Sequence, residues 1–390
     1  MGLFLVLGLL AAMFGVVVAL VNCPLWFKVG VVGGAAGRFI ASWLRFSDQG
    51  LQLDALAYHG EAVAFQRSLL GRESYEPAAF VEGKSGWTTT LGFLYYLGGD
   101  NPLVGFFFNS LIIGLASLVV YGTARMLDAS ETGASVAGLC LLAPQFLVWG
   151  TGLLREPVIW LALAGVTFFG VQLTLWPGKK PLIGVIGLLV SVGVLYWYRA
   201  SIGLVAILAL LFFVLVSSKV PRALRALGAV AAVVALPFVV GDIQERDLLD
   251  ADRMSLSRAE LAAADTGFGP STNVSAIGIY LHLPFNFARV LLGPFPWEIV
   301  SLGPVAAVEW LCWLLLAFPI AYLVYRRSIL LSLPVVLALS ILVSIALTVA
   351  NYGGVSRVRL MPLVVAFPLL ALWWDMASSS VRAKSQRLQP

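Results

Sequence analysis

In the run Asp54-Ala-Leu-Ala-Tyr58-His59-Gly-Glu61, two carboxylates bracket a tyrosine and a histidine. On a helix Asp54, Tyr58 and Glu61 fall at i, i+4 and i+7 and share one face, with Asp48 just ahead of them. A carboxylate held there and partly desolvated could take a proton from a hydroxyl as a general base. The same pattern also suits the solvated polar face of a peripheral helix. Glu156 stands in Arg155-Glu156-Pro157. Pro157 fits a first helical turn and Glu156 is favoured by the dipole there, so capping accounts for the motif. The chemical alternative is a second carboxylate facing the same cavity as Asp54, contacting a divalent metal or an acceptor. Arg199 follows Tyr196-Trp197-Tyr198, a place where arginine snorkels beside interfacial aromatics. Arg357 and Arg359 are two apart, beside Asn351-Tyr352-Gly353-Gly354. Guanidinium groups bind phosphate bidentately, and lipid-headgroup anchoring is the competing use of such a pair.

Other chemistries find little support. His59 and His282 are the only histidines, and the three cysteines (Cys23, Cys140 and Cys312) form no CxxC or Cys/His cluster, so neither a zinc site nor a disulfide framework is expected. Ser255 and Ser257 lack a His/Asp arrangement for a hydrolase triad. No GxGxxG or GxxxxGK[ST] loop occurs. Asn273-Val-Ser275 matches a glycosylation acceptor. Glu309, inside an apolar segment, is a functional candidate because a carboxylate in lipid is costly. Leu292-Gly-Pro-Phe-Pro-Trp-Glu298 reads as a rigid aromatic turn at the interface.

The elements that must position these residues are membrane spans. The chain has 390 residues, 60% of them hydrophobic and only 12% charged, more apolar surface than a water-soluble core can hide. That excludes a soluble domain, a disordered chain and a disulfide scaffold. Ten apolar stretches are long enough to span: 3–21, 101–124, 132–154, 157–175, 181–198, 200–218, 223–241, 303–325, 329–350 and 358–378. Pro24–Leu44 is Gly-rich and carries Lys28 and Arg38; Gly278–Ile299 carries Arg289 and several prolines. Both read as interfacial segments. The fold class expected is an all-α polytopic membrane protein with about ten transmembrane helices and interfacial helices in its first long outer loop.

With the N-terminus inside, the inner loops hold eleven basic residues against three acids. This is the positive-inside signature. The net charge of +5 is thus largely topological, and nucleic acid is not expected as a partner. Both termini are then cytoplasmic, in the plasma (inner) membrane. The long connections 22–100 and 242–302 face outward within a single integral domain, 1–390. Loops of that length are usually functional or disordered.

The arrangement resembles the membrane-embedded GT-C glycosyltransferases, the group that includes protein O-mannosyltransferases and the aminoarabinose transferases of lipid A. The shared patterns are Asp54-Ala-x-x-Tyr58-His59, Gly83-Lys84-x-Gly86-Trp87 leading to Leu94-Tyr-Tyr-Leu-Gly-Gly-Asp-Asn-Pro102, Leu154-Arg155-Glu156, and Arg357-x-Arg359-x-x-Pro362. Ala55 follows Asp54 where that group often carries a second acid. The resemblance implies an inverting sugar transfer at the outer face from a polyprenyl-phosphate-type donor. The acceptor would be a glycan, lipid or protein. It makes Asp54 the catalytic base and Glu156 a second acidic position. Asp48, Tyr58, His59, Arg155, Arg199, Arg357 and Arg359 become substrate contacts, with Arg357, Arg359 and Arg199 on the leaving phosphate. Expected partners are membrane lipids, the lipid-linked sugar and an envelope-biosynthesis complex. Three rivals make different demands. A polysaccharide polymerase or O-antigen ligase would lean on His282 and Arg289. A flippase would need polar residues at the bilayer midplane. A structural subunit would need no turnover.

Overall fold

The computed structural model describes residues 2–51, 53–76, 85–175, 181–217, 220, 225–226, 283–327, 329–349 and 352–387. All but two residues of the expected span 223–241, the serines 255 and 257, the sequon at 273–275, His282, Gly83, Lys84 and Asn351 lie outside the described residues. Every regular element among the described residues is helical. The chain is a polytopic helical membrane protein: six described helices are long and apolar enough to cross a membrane, or seven if one bent pair counts as a span.

The chain divides into two compact units. Met1–Gln172, Lys180–Gly203 and Phe367–Pro390 form the first; Leu173–Lys179 and Leu204–Ala366 form the second. The elements of the first begin with α1 (Gly2–Leu20), α2 (Leu25–Gln49), α3 (Leu53–Leu69), α4 (Ser85–Gly98) and α5 (Pro102–Met126). Next come α6 (Glu131–Leu139, extended by a 3-10 turn at Cys140–Leu142), α7 (Pro144–Gly150), α8 (Glu156–Leu175) and α9 (Pro181–Tyr198). Helix α10 (Ala200–Val216) leads into the second unit. There lie α11 (Leu283–Leu292), α12 (Pro296–Leu302), α13 (Pro304–Arg327), α14 (Leu333–Thr348) and α15 (Tyr352–Val358). The last helix, α16 (Leu360–Arg387), starts in the second unit and ends in the first.

Local sequence explains the starts. The Asn101 side chain accepts from the Leu103 amide with Pro102 in the first turn of α5, and Ser130 caps α6 through the Gly133 amide. The stretch expected as one span at 132–154 is broken instead. Glu131–Leu142 and Pro144–Gly150 are bent by 46°, because Pro144 has no N–H to continue the ladder. Two expected spans are shorter than the stretches suggest: Ala200–Val216 has 17 residues and Leu333–Thr348 has 16.

Helix α2 covers the segment expected to lie along the interface. It buries one stripe, Phe27, Val31, Ala35, Arg38 and Ser42. That stripe runs beside α5: Phe27 stacks on Tyr121 with centroids 4.9 Å apart, and Phe39 and Phe46 meet Phe107 and Phe106 edge-on at 5.2 and 5.7 Å. Near the far end of the unit, the Asp375 carboxylate of α16 accepts from the Ser130 amide at 2.6 Å and from the Ser130 hydroxyl.

Candidate functional site

In the first unit the candidate residues cluster around the α3–α4 hairpin and the 151–156 turn. Helix α3 buries Ala55, Tyr58 and Ala62, one side of the cylinder, against α4. Close approach is allowed by Gly92, where an added Cβ would come within 2.5 Å of Phe65 and 3.1 Å of the Ala62 carbonyl. The Tyr58 ring is therefore a packing element, only 1% exposed. Asp54 lies in the first turn of α3 and its side chain is exposed. Glu61 is half-buried and accepts from the Tyr75 hydroxyl at 3.2 Å. The acids at 54 and 61 thus differ in exposure. Asp48 is exposed at the C-terminal end of α2.

His59 pairs with α4. Its Nδ1 lies 2.9 Å from the Tyr95 hydroxyl, and the two rings meet edge to face. Burial lowers the His59 pKa from its ordinary value, a shift partly opposed by Asp100. The Tyr95 hydroxyl is pushed up by burial, then by the charge of Asp100. A Gln66 amide donating to the Tyr95 carbonyl at 2.9 Å locks the same junction.

The turn before α8 is held from three sides. Asn109 donates to the carbonyls of Gly152 and Leu154 at 3.1 and 2.8 Å, and the Trp87 indole donates to the Leu153 carbonyl at 3.1 Å. Arg155 is buried and donates to the Tyr198 carbonyl at 2.8 Å. Glu156 is fully buried, with a carboxylate oxygen 3.8 Å from Arg199 Nη1. Sequence reading placed Arg155, Glu156 and Arg199 as separate contacts; the fold joins the last two into an ion pair and sends Arg155 to the backbone beside it. A crevice connects this turn to the Asp54 helix, lined by Arg45, Phe46, Ala55, Phe106, Thr151 and Leu153. Arg45 was not singled out by the sequence; it lies just past the segment read as interfacial, Pro24–Leu44. Asn109 gave no signal there, since a polar residue inside a span shows its partner only after folding, and Trp87 entered only as part of the Gly83–Trp87 pattern.

The second unit holds a separate polar cluster. Arg289 Nη2 lies 3.0 Å from Glu298, and Arg289 Nη1 donates to the Tyr352 hydroxyl at 3.0 Å. The Tyr352 hydroxyl donates in turn to Glu298, which also accepts from the Phe295 amide at 2.8 Å. The aromatic turn 292–298 thus folds around an ion pair. Arg359 is buried, donates to the Gly293 carbonyl at 2.6 Å, and stacks 5.3 Å from the Trp313 ring. Its Nε and Nη2 meet no hydrogen-bond partner among the described residues. Arg357, half-buried on α15, has different surroundings although only two residues away. Glu309 is buried and interacts electrostatically with Arg359.

Among the described residues no three His, Cys, Asp or Glu side chains converge as metal ligands would, so no step is routed through a divalent metal. No protein-family model, curated protein or solved structure matches the chain.

Proposed function

We propose that the chain is a glycosyltransferase of the plasma (inner) membrane that moves a sugar from a polyprenyl-phosphate-type lipid to an acceptor at the outer face. Asp54 takes the proton of an acceptor hydroxyl. The oxygen attacks the anomeric carbon, the bond from that carbon to the phosphate oxygen breaks, and the phosphate leaves with the electron pair. Arg199, in the same unit as Asp54, is the cation assigned to the leaving phosphate there; Arg357 and Arg359 are the phosphate contacts that the resemblance implies. Glu156 orients Arg199 through their ion pair rather than acting as a second base.

The observation that carries the reading is Arg359. Glu309 offsets part of the buried charge, but two of the guanidinium nitrogens bond to nothing among the described residues, and an anionic oxygen is the group that best fits them. The exposed Asp54 in a first helical turn supplies a carboxylate that substrate can reach. The resemblance to GT-C enzymes supplies the reaction. The polymerase or ligase reading leans on Arg289, yet Glu298 and Tyr352 engage that guanidinium in folding the 292–298 turn.

The test is sugar transfer in liposomes from polyprenyl-phosphate donors. Asp54→Asn is expected to lower turnover by about 10²–10⁴-fold, the usual contribution of a general base, with donor binding unchanged. Full activity in that variant removes Asp54 as the base.

A further inference from the structure

We infer that α2 crosses the membrane, that its Arg38 binds backbone carbonyls where the α6–α7 span breaks, and that the N-terminus therefore lies on the same face as the α3–α4 hairpin. The inference is independent of the enzymatic reading.

The order of contacts along α2 and α5 decides it. Phe27 meets Tyr121, Val31 faces Gly114, Phe39 meets Phe107 and Phe46 meets Phe106. Residue numbers rise on one helix as they fall on the other, so the pair is antiparallel along about 22 Å of the α5 axis at 1.5 Å per residue. Helix α5 is apolar and long enough to span. A helix pressed against a span for that distance cannot lie in the plane of the membrane. At 25 residues α2 is about 37 Å long, more than the roughly 30 Å hydrocarbon core. Helix α1 obeys the same geometry: Gly2 approaches the Leu97 carbonyl, Val6 approaches Gly98, and Phe14 approaches Gly114. The turn between α1 and α2 closes at the other end, where Lys28 donates to the Ala19 carbonyl at 3.0 Å.

Arg38 explains how α2 tolerates a charge at that depth. It is 2% exposed and donates to the Phe146 carbonyl at 2.8 Å and to the Leu141 carbonyl. Those carbonyls flank the bend at Pro144. In lipid an unpaired carbonyl has no water to turn to, and the C-terminal end of the α6 segment carries the negative pole of its dipole. A guanidinium with five donors suits both demands. Gly30 and Gly34 leave room for leucine side chains of the broken span, an added Cβ meeting Leu139 at 3.0 Å and Leu142 at 2.4 Å. This is the small-residue spacing of packed membrane helices.

The charges set the direction. Crossing by α2 moves the turn at Asn22–Pro24 and Lys28 to the end of the bundle where Arg125 and Ser130 lie. That end is the basic inner face, and Lys28 becomes its twelfth basic residue. The α3–α4 hairpin stays outside. The N-terminus, expected inside from the sequence, joins it there.

The test uses three single-cysteine variants, Asn22→Cys, Arg72→Cys and Thr132→Cys, in protein lacking Cys23, Cys140 and Cys312. They are probed with a membrane-impermeant maleimide on sealed right-side-out and inverted vesicles. Asn22→Cys and Thr132→Cys are expected to react in inverted vesicles and Arg72→Cys in right-side-out ones. Reaction of Asn22→Cys and Arg72→Cys from one side overturns the inference. A second measurement leaves the native cysteines in place: a protease site ahead of Met1 and another inserted at 72–73 are each cut in sealed vesicles. Cleavage of both from the same side is expected; cleavage from opposite sides overturns it.

Discussion

At the scale of single residues, burial separates side chains that chemistry alone would treat alike. Glu156 and Asp54 are both acids near a helix start, but Glu156 is fully buried against Arg199 while Asp54 is exposed. Glu156→Ala, which leaves Arg199 without its buried counter-charge, is expected to cost about 3 kcal/mol of stability, read as a lower Tm in detergent. Arg38 allows a sharper comparison. Arg38→Lys keeps the charge but cannot span both the Leu141 and Phe146 carbonyls, so it is expected to destabilise by about 2 kcal/mol despite being conservative. His59 makes a pH prediction. Its folded pKa lies below its unfolded value near 6.5, so the stability it contributes is complete above that value. It is lost as pH falls through the folded value. Tm should therefore drop between pH 7.5 and pH 5, and His59→Gln should flatten that part of the profile.

At the scale of elements, the α3–α4 hairpin is the device that presents Asp54. Its packing runs through Tyr58, Ala62 and Gly92, with His59 and Gln66 tied to Tyr95. Gly92→Val would drive a side chain into Phe65 and the Ala62 carbonyl, an overpacking expected to cost about 1–3 kcal/mol. If the hairpin presents the base, this variant loses turnover beyond what its Tm loss explains, measured well below the melting transition. The broken α6–α7 span is the other informative element. Its bend follows from Pro144, but its tolerance in a membrane depends on a partner more than a hundred residues earlier.

At the scale of the whole molecule, the distribution of charge and of apolar helices predicts a multi-pass protein with a basic inner face. The tail bearing Arg382, Lys384 and Arg387 is expected on that face. Its near neighbour Asp375 pairs with Ser130, at the end of the bundle that Lys28 and Arg125 also mark. A cleavable tag at the C-terminus should therefore be cut only in inverted vesicles, while Arg72→Cys reacts only in right-side-out ones.

Most spans were legible because a run of apolar residues long enough to cross lipid has few other stable fates. The start of α8 at Arg155-Glu156-Pro157 was legible too, since capping and proline chemistry are local. Helix α2 was not: Lys28, Arg38 and several glycines dilute its apolar character, and their compensations lie on other helices. Nor was the Glu156–Arg199 pair, which joins residues 43 apart at the ends of two helices. The sequence by itself determined the helical membrane class, most of the spans and the excess of positive charge in the short loops, because those properties sum over local composition. Tertiary structure alone decided that Tyr58 packs, that Asp54 stays exposed and that Arg38 meets the carbonyls at a broken helix. Burial and long-range pairing depend on which surfaces meet, and no local run of residues encodes that meeting.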